Sequence, residues 1–293
     1  MTKTKQGKKY SHLVKVPGLQ TIMAGIMPNR TDSEVWLNDT FDITEVLKYL
    51  EKKNEGREKA DRITLFHCIL TAVTKMVYER PKMNYYIKTY RAYEREEISL
   101  AFVVKKKFSE TGGEELMFYV PDLNGNIDTL SSDILKHINR ARNIKAGAAG
   151  GVNGAIETIA KMPRILQALI YKIVRILDFF QIEPRFLTDD DPNFSTVFLT
   201  NLGSIKCPSV YHHLNNYGTN SLMIAIGTIH KEKVLMPDGT EEIRDIVDFG
   251  ATLDERIGDG FYFARSLKLV KYLFAHPEML EEPISKPSGF DYK

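Results

Sequence analysis

The chain has 293 residues, 43% of them hydrophobic and 27% charged, with a net charge of +2. That is long enough for one large domain or two small ones with a sizeable core. The overall balance gives no reason to expect nucleic acid or an anionic membrane as partner. Two cysteines, Cys68 and Cys207, lie far apart with no CxxC pair, so metal and redox readings are weak. The N-terminus shows no apolar stretch of a secretory signal, and no run of about 18 apolar residues is present to span a membrane. The cytoplasm is the expected location.

The first residues, "MTKTKQGKK", carry four lysines and no acid, the pattern of a frayed basic tail. Residues 1–20 are expected to be flexible, 21–280 to form a single domain, and 281–293 to be a C-terminal tail. "SEVWLNDTF" from Ser33 alternates as a strand does. Asp42 with Glu45 three positions on is a capping-box pattern, followed by the stripe Val46, Leu47, Leu50. "DRITLFHCILTAVTKMVYERP" predicts a helix with Ile69 and Val73 on one face, stopped by Pro81. Cys68 falls within it, where a buried inert thiol is the default.

"YYIKTYRAYEREEISLAFVVKKK" has the content of two strands. "LSSDILKHINRARNIK" reads as a helix capped by Ser131 or Ser132, and Ala146 to Ala155 as a loop. "KMPRILQALIYKIVRILDFF" is apolar over more than half its circumference, with Lys161, Arg164, Lys172 and Arg175 spaced along it. Such a basic amphipathic helix can lie on a membrane. One this apolar more often packs into a core or subunit interface, so membrane contact is not expected. "STVFLTNLG", "SLMIAIGTIH" and "IRDIVDFGATL" are strand-like, and a Pro-Asp-Gly turn joins the last two. The final helix runs from Asp259 to about Phe274, with Phe263, Leu267, Val270 and Phe274 in 4-3-4 spacing. Strands and helices without strict βαβ alternation predict an α/β protein: a two-layer sandwich with a mixed central β-sheet flanked by helices.

The tightest cluster of charge is "LDERIGDGFYFARS", Leu253 to Ser266. A strand, then "DERIGDG", then an amphipathic helix resembles the C-terminal signature of the chloramphenicol acetyltransferase-like fold. That fold includes the catalytic domains of the dihydrolipoyl acyltransferases of 2-oxoacid dehydrogenase complexes. "STVFLTNLGSI" is similar to the family's strand ending in a hydroxyl residue and Asn-Leu-Gly. "RITLFHCILTAVTKMVYERPKMNYYI" and "FDITEVLKYLEKKN" are similar to two of its helices. These blocks cover most of the chain from about Met27 to Phe274, in the family's order. No lipoyl domain or Ala/Pro-rich linker precedes them, so a free-standing branch without covalent lipoyl is the expectation.

The resemblance implies acyl transfer through a tetrahedral oxyanion. A histidine takes a thiol proton, a strand hydroxyl stabilises the oxyanion, and an aspartate-arginine pair holds the motif. Residue by residue, Glu255 occupies the histidine position, Thr200 matches the hydroxyl and Asp259 the aspartate, with Arg30 in "MPNRTDS" as its candidate partner. Asn201, Gly203, His212 and His213 are candidate substrate contacts. Coenzyme A as acyl-CoA is the implied donor and a small molecule the acceptor. The implied assembly is a homotrimer in which Glu255 and Thr200 face each other between subunits; no metal is implied.

A free Glu has a pKa of about 4.3 and a thiol about 8.5, so Glu255 works as a base only if burial raises it. The other reading is a catalytically lapsed homologue acting as a ligand-binding or scaffold trimer. There Asp259 simply caps the last helix, Glu255 is a salt-bridge partner and Thr200 a buried strand residue. His212 and His213 are the only adjacent histidines. Either could supply the base if their loop folds back over the site, or they are an ordinary hydrogen-bonded pair. His67 and His137 sit in helical patterns and read as ordinary.

Overall fold

The computed structural model describes residues 3–6, 9–105, 114–143, 158–182, 188 and 191–292. Among these the elements run β1 (Lys3–Gln6), β2 (Lys9–Leu13), α1 (Gly18–Ile26), β3 (Glu34–Asp42), α2 (Thr44–Lys53), α3 (Leu65–Glu79), β4 (Tyr85–Lys88), β5 (Arg91–Arg95), β6 (Leu100–Lys105), β7 (Glu114–Tyr119), α4 (Ile127–Asn143), α5 (Arg164–Phe180), β8 (Val197–Asn201), β9 (Leu222–Leu235), β10 (Glu241–Asp254) and α6 (Gly260–Ala275). Six strands form the central sheet in the order β3-β10-β9-β8-β6-β7. It is mixed: β8 runs parallel to both neighbours, and the other pairs are antiparallel. A smaller antiparallel sheet has the order β1-β2-β5-β4. Helix α3 packs against α2, α4 and α6, while α6 also lies on β3 and α2 on β10. This is the α/β sandwich that the sequence predicts.

The core forms where the apolar periods of strand and helix meet. Every residue of α3 from His67 to Val77 is buried, so this helix is the centre of the helical layer. Its polar members are satisfied locally. Thr71 and Thr74 donate back to the carbonyls of His67 (2.9 Å) and Leu70 (2.7 Å). The Lys75 ammonium donates to the carbonyls of Pro283 and Lys286. The rings of Phe41, Phe249 and Phe274 tie β3, β10 and α6 together, with Phe41 4.3 Å from Phe249 and 5.7 Å from Phe274. In β8, strand alternation buries Val197 and Leu199 and leaves Phe198 and Thr200 half-buried on the other side.

Several local expectations differ from the structure. Separately, residues Lys3–Gln6 and Lys9–Leu13 form β1 and β2, and Ile284 packs on the core. The stretch read as two strands holds three, because Thr89 and Tyr90 form a turn with φ of 48° and 62°. Helix α4 starts at Ile127, where the Asn126 side chain accepts from the Asp128 and Thr129 amides (3.0 and 3.2 Å); Ser131 is already inside it. The loop 146–155 lies outside the described residues. Helix α5 contributes no buried residue, so it is not a core helix.

The segment after β8 lies directly on the face of the sheet opposite the helices. A Cβ on Gly250 would fall 2.3 Å from the Val210 carbonyl, and one on Gly227 2.7 Å from the Ser209 amide. Backbone rests on backbone there, with no side-chain layer between.

Candidate active site

The charged turn divides into two kinds of residue. Asp254 ends β10 and is fully buried beside Arg256, itself 2% exposed. The Asp254 carboxylate accepts from the Arg256 Nε (2.7 Å), Nη2 (2.6 Å) and amide (3.1 Å), and from the Ser33 hydroxyl (3.0 Å). The remaining Arg256 Nη1 donates to the Met27 carbonyl (2.8 Å). Two charges removed from water are tolerable only when matched this completely. Asp259 is the N-cap of α6 and accepts from the Tyr262 amide at 2.7 Å.

Arg30 does not reach Asp259. Its guanidinium donates to the carbonyls of Ile87 (3.2 Å), Asn215 (3.3 Å) and Asn216 (3.4 Å). Burial pulls its pKa below the ordinary arginine value, and the Asp254 carboxylate opposes that pull. The arginine that binds Asp254 is Arg256, and the pairing of β3 with β10, which sets Glu34 opposite Asp254, brings Ser33 to the same carboxylate. Sequence reasoning missed both Asp254 and Ser33. The one signal, a carboxylate and an arginine two residues apart, has no meaning until that register is known.

Glu255 is left over. Its amide donates to the Ser33 carbonyl at 2.9 Å, which fixes the backbone. Its carboxylate makes no hydrogen bond or ion pair among the described residues, since Arg256 is committed to Asp254. It lines an open cavity of about 430 Å³ with Met23, Val35, Asp259 and Phe263, and Lys82 lines the same space.

Thr200 lies elsewhere, at the C-terminal end of β8, in a second cavity of about 510 Å³. Phe66, Phe102, Phe198 and Met223 make its walls largely apolar; Asn201 and His212 share it with Thr200. The Thr200 hydroxyl has no partner among the described residues. Asn201 caps the following 3-10 turn, its side chain accepting from the Ser204 amide at 3.2 Å. Gly203 is needed for close approach, because a Cβ there would fall 2.4 Å from the Gly227 carbonyl.

The segment carrying His212 and His213 does fold back over the sheet, as the loop resting on Gly227 and Gly250. Its two imidazoles part company. His212 faces the Thr200 cavity, and its Nε2 is shielded from water with no protein partner among the described residues. Burial, helped by neighbouring His213, pushes its pKa below the ordinary histidine value, so the ring is neutral at neutral pH. His213 is exposed and 3.4 Å from the Glu34 carboxylate, which also accepts from the Leu214 amide (2.6 Å). The structure therefore gathers Thr200, Asn201 and His212 at one cavity and Glu255 with Asp259 at another. Burial pushes the Cys68 thiol up to about 12, which leaves it inert in the core.

No family model and no curated protein matches the chain. Solved structures do. A probable dihydrolipoamide acetyltransferase from Listeria monocytogenes is 16% identical with a TM-score of 0.57, covering 96% of this chain and 98% of its own. The dihydrolipoamide acetyltransferase of Azotobacter vinelandii is also 16% identical, with a TM-score of 0.59 over 92% of this chain and 94% of its own. A chloramphenicol acetyltransferase is 12% identical, with a TM-score of 0.52 over 90% and 99%. The order of the strands and helices, together with these three likenesses, gives the chain the chloramphenicol acetyltransferase-like fold, which it shares with dihydrolipoamide acetyltransferases.

Proposed function

We propose that the protein transfers an acyl group from coenzyme A to a small acceptor within a homotrimer. The observation that carries this reading is the uncommitted Thr200 hydroxyl, at the end of a strand between two parallel neighbours and open to an apolar cavity of about 510 Å³. Ligand pockets commonly span about 300–1,000 Å³. The acceptor's nucleophile attacks the thioester carbonyl while a base takes its proton. Thr200 donates to the resulting oxyanion. The carbon–sulfur bond then breaks, and the thiolate recovers the proton from the base. Glu255 fills the base's position in the turn, and with the two cavities separate it would be supplied by another copy of the chain.

The test is thiol release from a panel of acyl-CoAs by wild type, Thr200→Ala, Thr200→Ser, Glu255→Gln and Glu255→His. Losing one oxyanion donor is expected to cost about 10²–10³ in kcat, with Ser largely restoring it. Gln at 255 should abolish turnover and His keep or raise it. No thiol release with any donor would refute acyl transfer in this form.

One observation favours a second base: His212 sits in Thr200's own cavity with an unpartnered Nε2. In that case Glu255→Gln is nearly silent and His212→Gln is not. Activity would then fall as pH drops through the His212 pKa, which lies below its ordinary value.

A further inference from the structure

Helix α5 carries a feature that acyl transfer does not use. At 3.6 residues per turn, Ile165, Leu169, Ile173, Ile176 and Phe180 fall on one face. All five are exposed, Ile165 by 87% and Phe180 by 64%. Ile170, Val174 and Leu177, on the side turned to the body, are only half-buried. Polar contacts near the C-terminal end hold the helix in place. Lys88 pairs with Asp178 at 3.0 Å, the Thr89 hydroxyl donates to the Phe179 carbonyl at 2.6 Å, and the Gln181 amide donates to the Tyr93 hydroxyl at 3.1 Å. The apolar ridge is thus free of the rest of the described residues.

Charge says what covers it. Lys172 borders the ridge and Arg164 stands exposed at the start of the helix, while Arg175, also exposed, lines a cavity against the body with Arg30 and Asp178. None of the three has an ion-pair partner among the described residues. The helix's one acid, Asp178, is committed to Lys88. Among the described residues, a large apolar ridge bordered by Lys172 with Arg164 exposed nearby matches an anionic bilayer, where the apolar side chains enter the acyl boundary and the cations meet headgroups.

We infer that α5 is a membrane-surface element that docks the protein on anionic lipid, lying in the interface plane. None of the described helices is long and apolar enough to cross a membrane.

The test is flotation of the full chain with phosphatidylcholine vesicles containing about a third phosphatidylglycerol, against phosphatidylcholine alone. The protein is expected to float with the anionic vesicles at least about tenfold more tightly than with the neutral ones, and less so as salt rises. Lys172→Gln with Arg164→Gln should weaken binding about fivefold per charge, on anionic vesicles only. Ile173→Glu with Ile176→Glu should abolish flotation while leaving the thermal midpoint unchanged, since both residues are exposed. If that pair harms folding, the wild-type comparison and the charge-removing pair still decide. Failure of the wild type to float with either vesicle overturns the inference. So does a drop in oligomer mass in the glutamate variant, which would give the ridge to a second copy.

Discussion

Asp254 accepts from Ser33 and from three nitrogens of Arg256, and neither charged side chain meets water. Removing one member strands the other. Asp254→Asn is therefore expected to cost about 3–5 kcal/mol, and Asp254→Asn with Arg256→Met much less. Urea unfolding of both variants checks this; equal losses would mean that the pair is not the unit of stability. Glu255, between them in sequence, touches neither, so Glu255→Gln should leave the urea midpoint unmoved. Which arginine serves which aspartate was not legible in the chain. The family resemblance implied Arg30 as the partner of Asp259. The structure gives Arg30 to backbone carbonyls and Asp254 to Arg256 and Ser33, and Ser33 arrives through a register between two segments more than 200 residues apart in sequence.

At the scale of elements, periodicity did most of the predicting. β3, β8, β9, β10, α3 and α6 lie where alternation and the helical stripe put them, because each buries a face whose spacing the sequence displays. The failures share a cause. Thr89 and Tyr90 make a turn with positive φ although neither residue type favours it. The exposure of α5 depends on what packs against it, which no local pattern states. Asp259 is the element-scale case with chemical stakes. As an N-cap it should be replaceable: Asp259→Ser is expected to keep both stability and turnover, while Asp259→Ala costs about 1 kcal/mol of stability. Thermal unfolding beside thiol release separates the roles. A Ser variant that folds normally but is inactive would show that the carboxylate does more than cap.

At the scale of the whole molecule, Thr200 and Glu255 occupy separate cavities in one chain. If a base and an oxyanion donor from different copies make one site, two impaired variants can repair each other. Thr200→Ala and Glu255→Gln, each crippled alone, should regain thiol release when refolded together, because some mixed interfaces pair an intact Thr200 with an intact Glu255. Absence of any gain places the site within a single chain and gives the proton to His212. The pairing of these residues was visible only through likeness to a family; one chain's composition and spacing contain no information about its neighbours.

The wall of the Thr200 cavity has a further consequence. His212 belongs to a segment laid main chain upon main chain over Gly227 and Gly250. Any added carbon at either glycine would collide and push the segment outward, so the two glycines set how close the His212 wall stands to Thr200. For an acyl chain that enters the cavity, selection would work by length and girth, as a gauge sorts rods, and a longer donor would have to be seated by shortening a wall residue such as Phe102 or Met223.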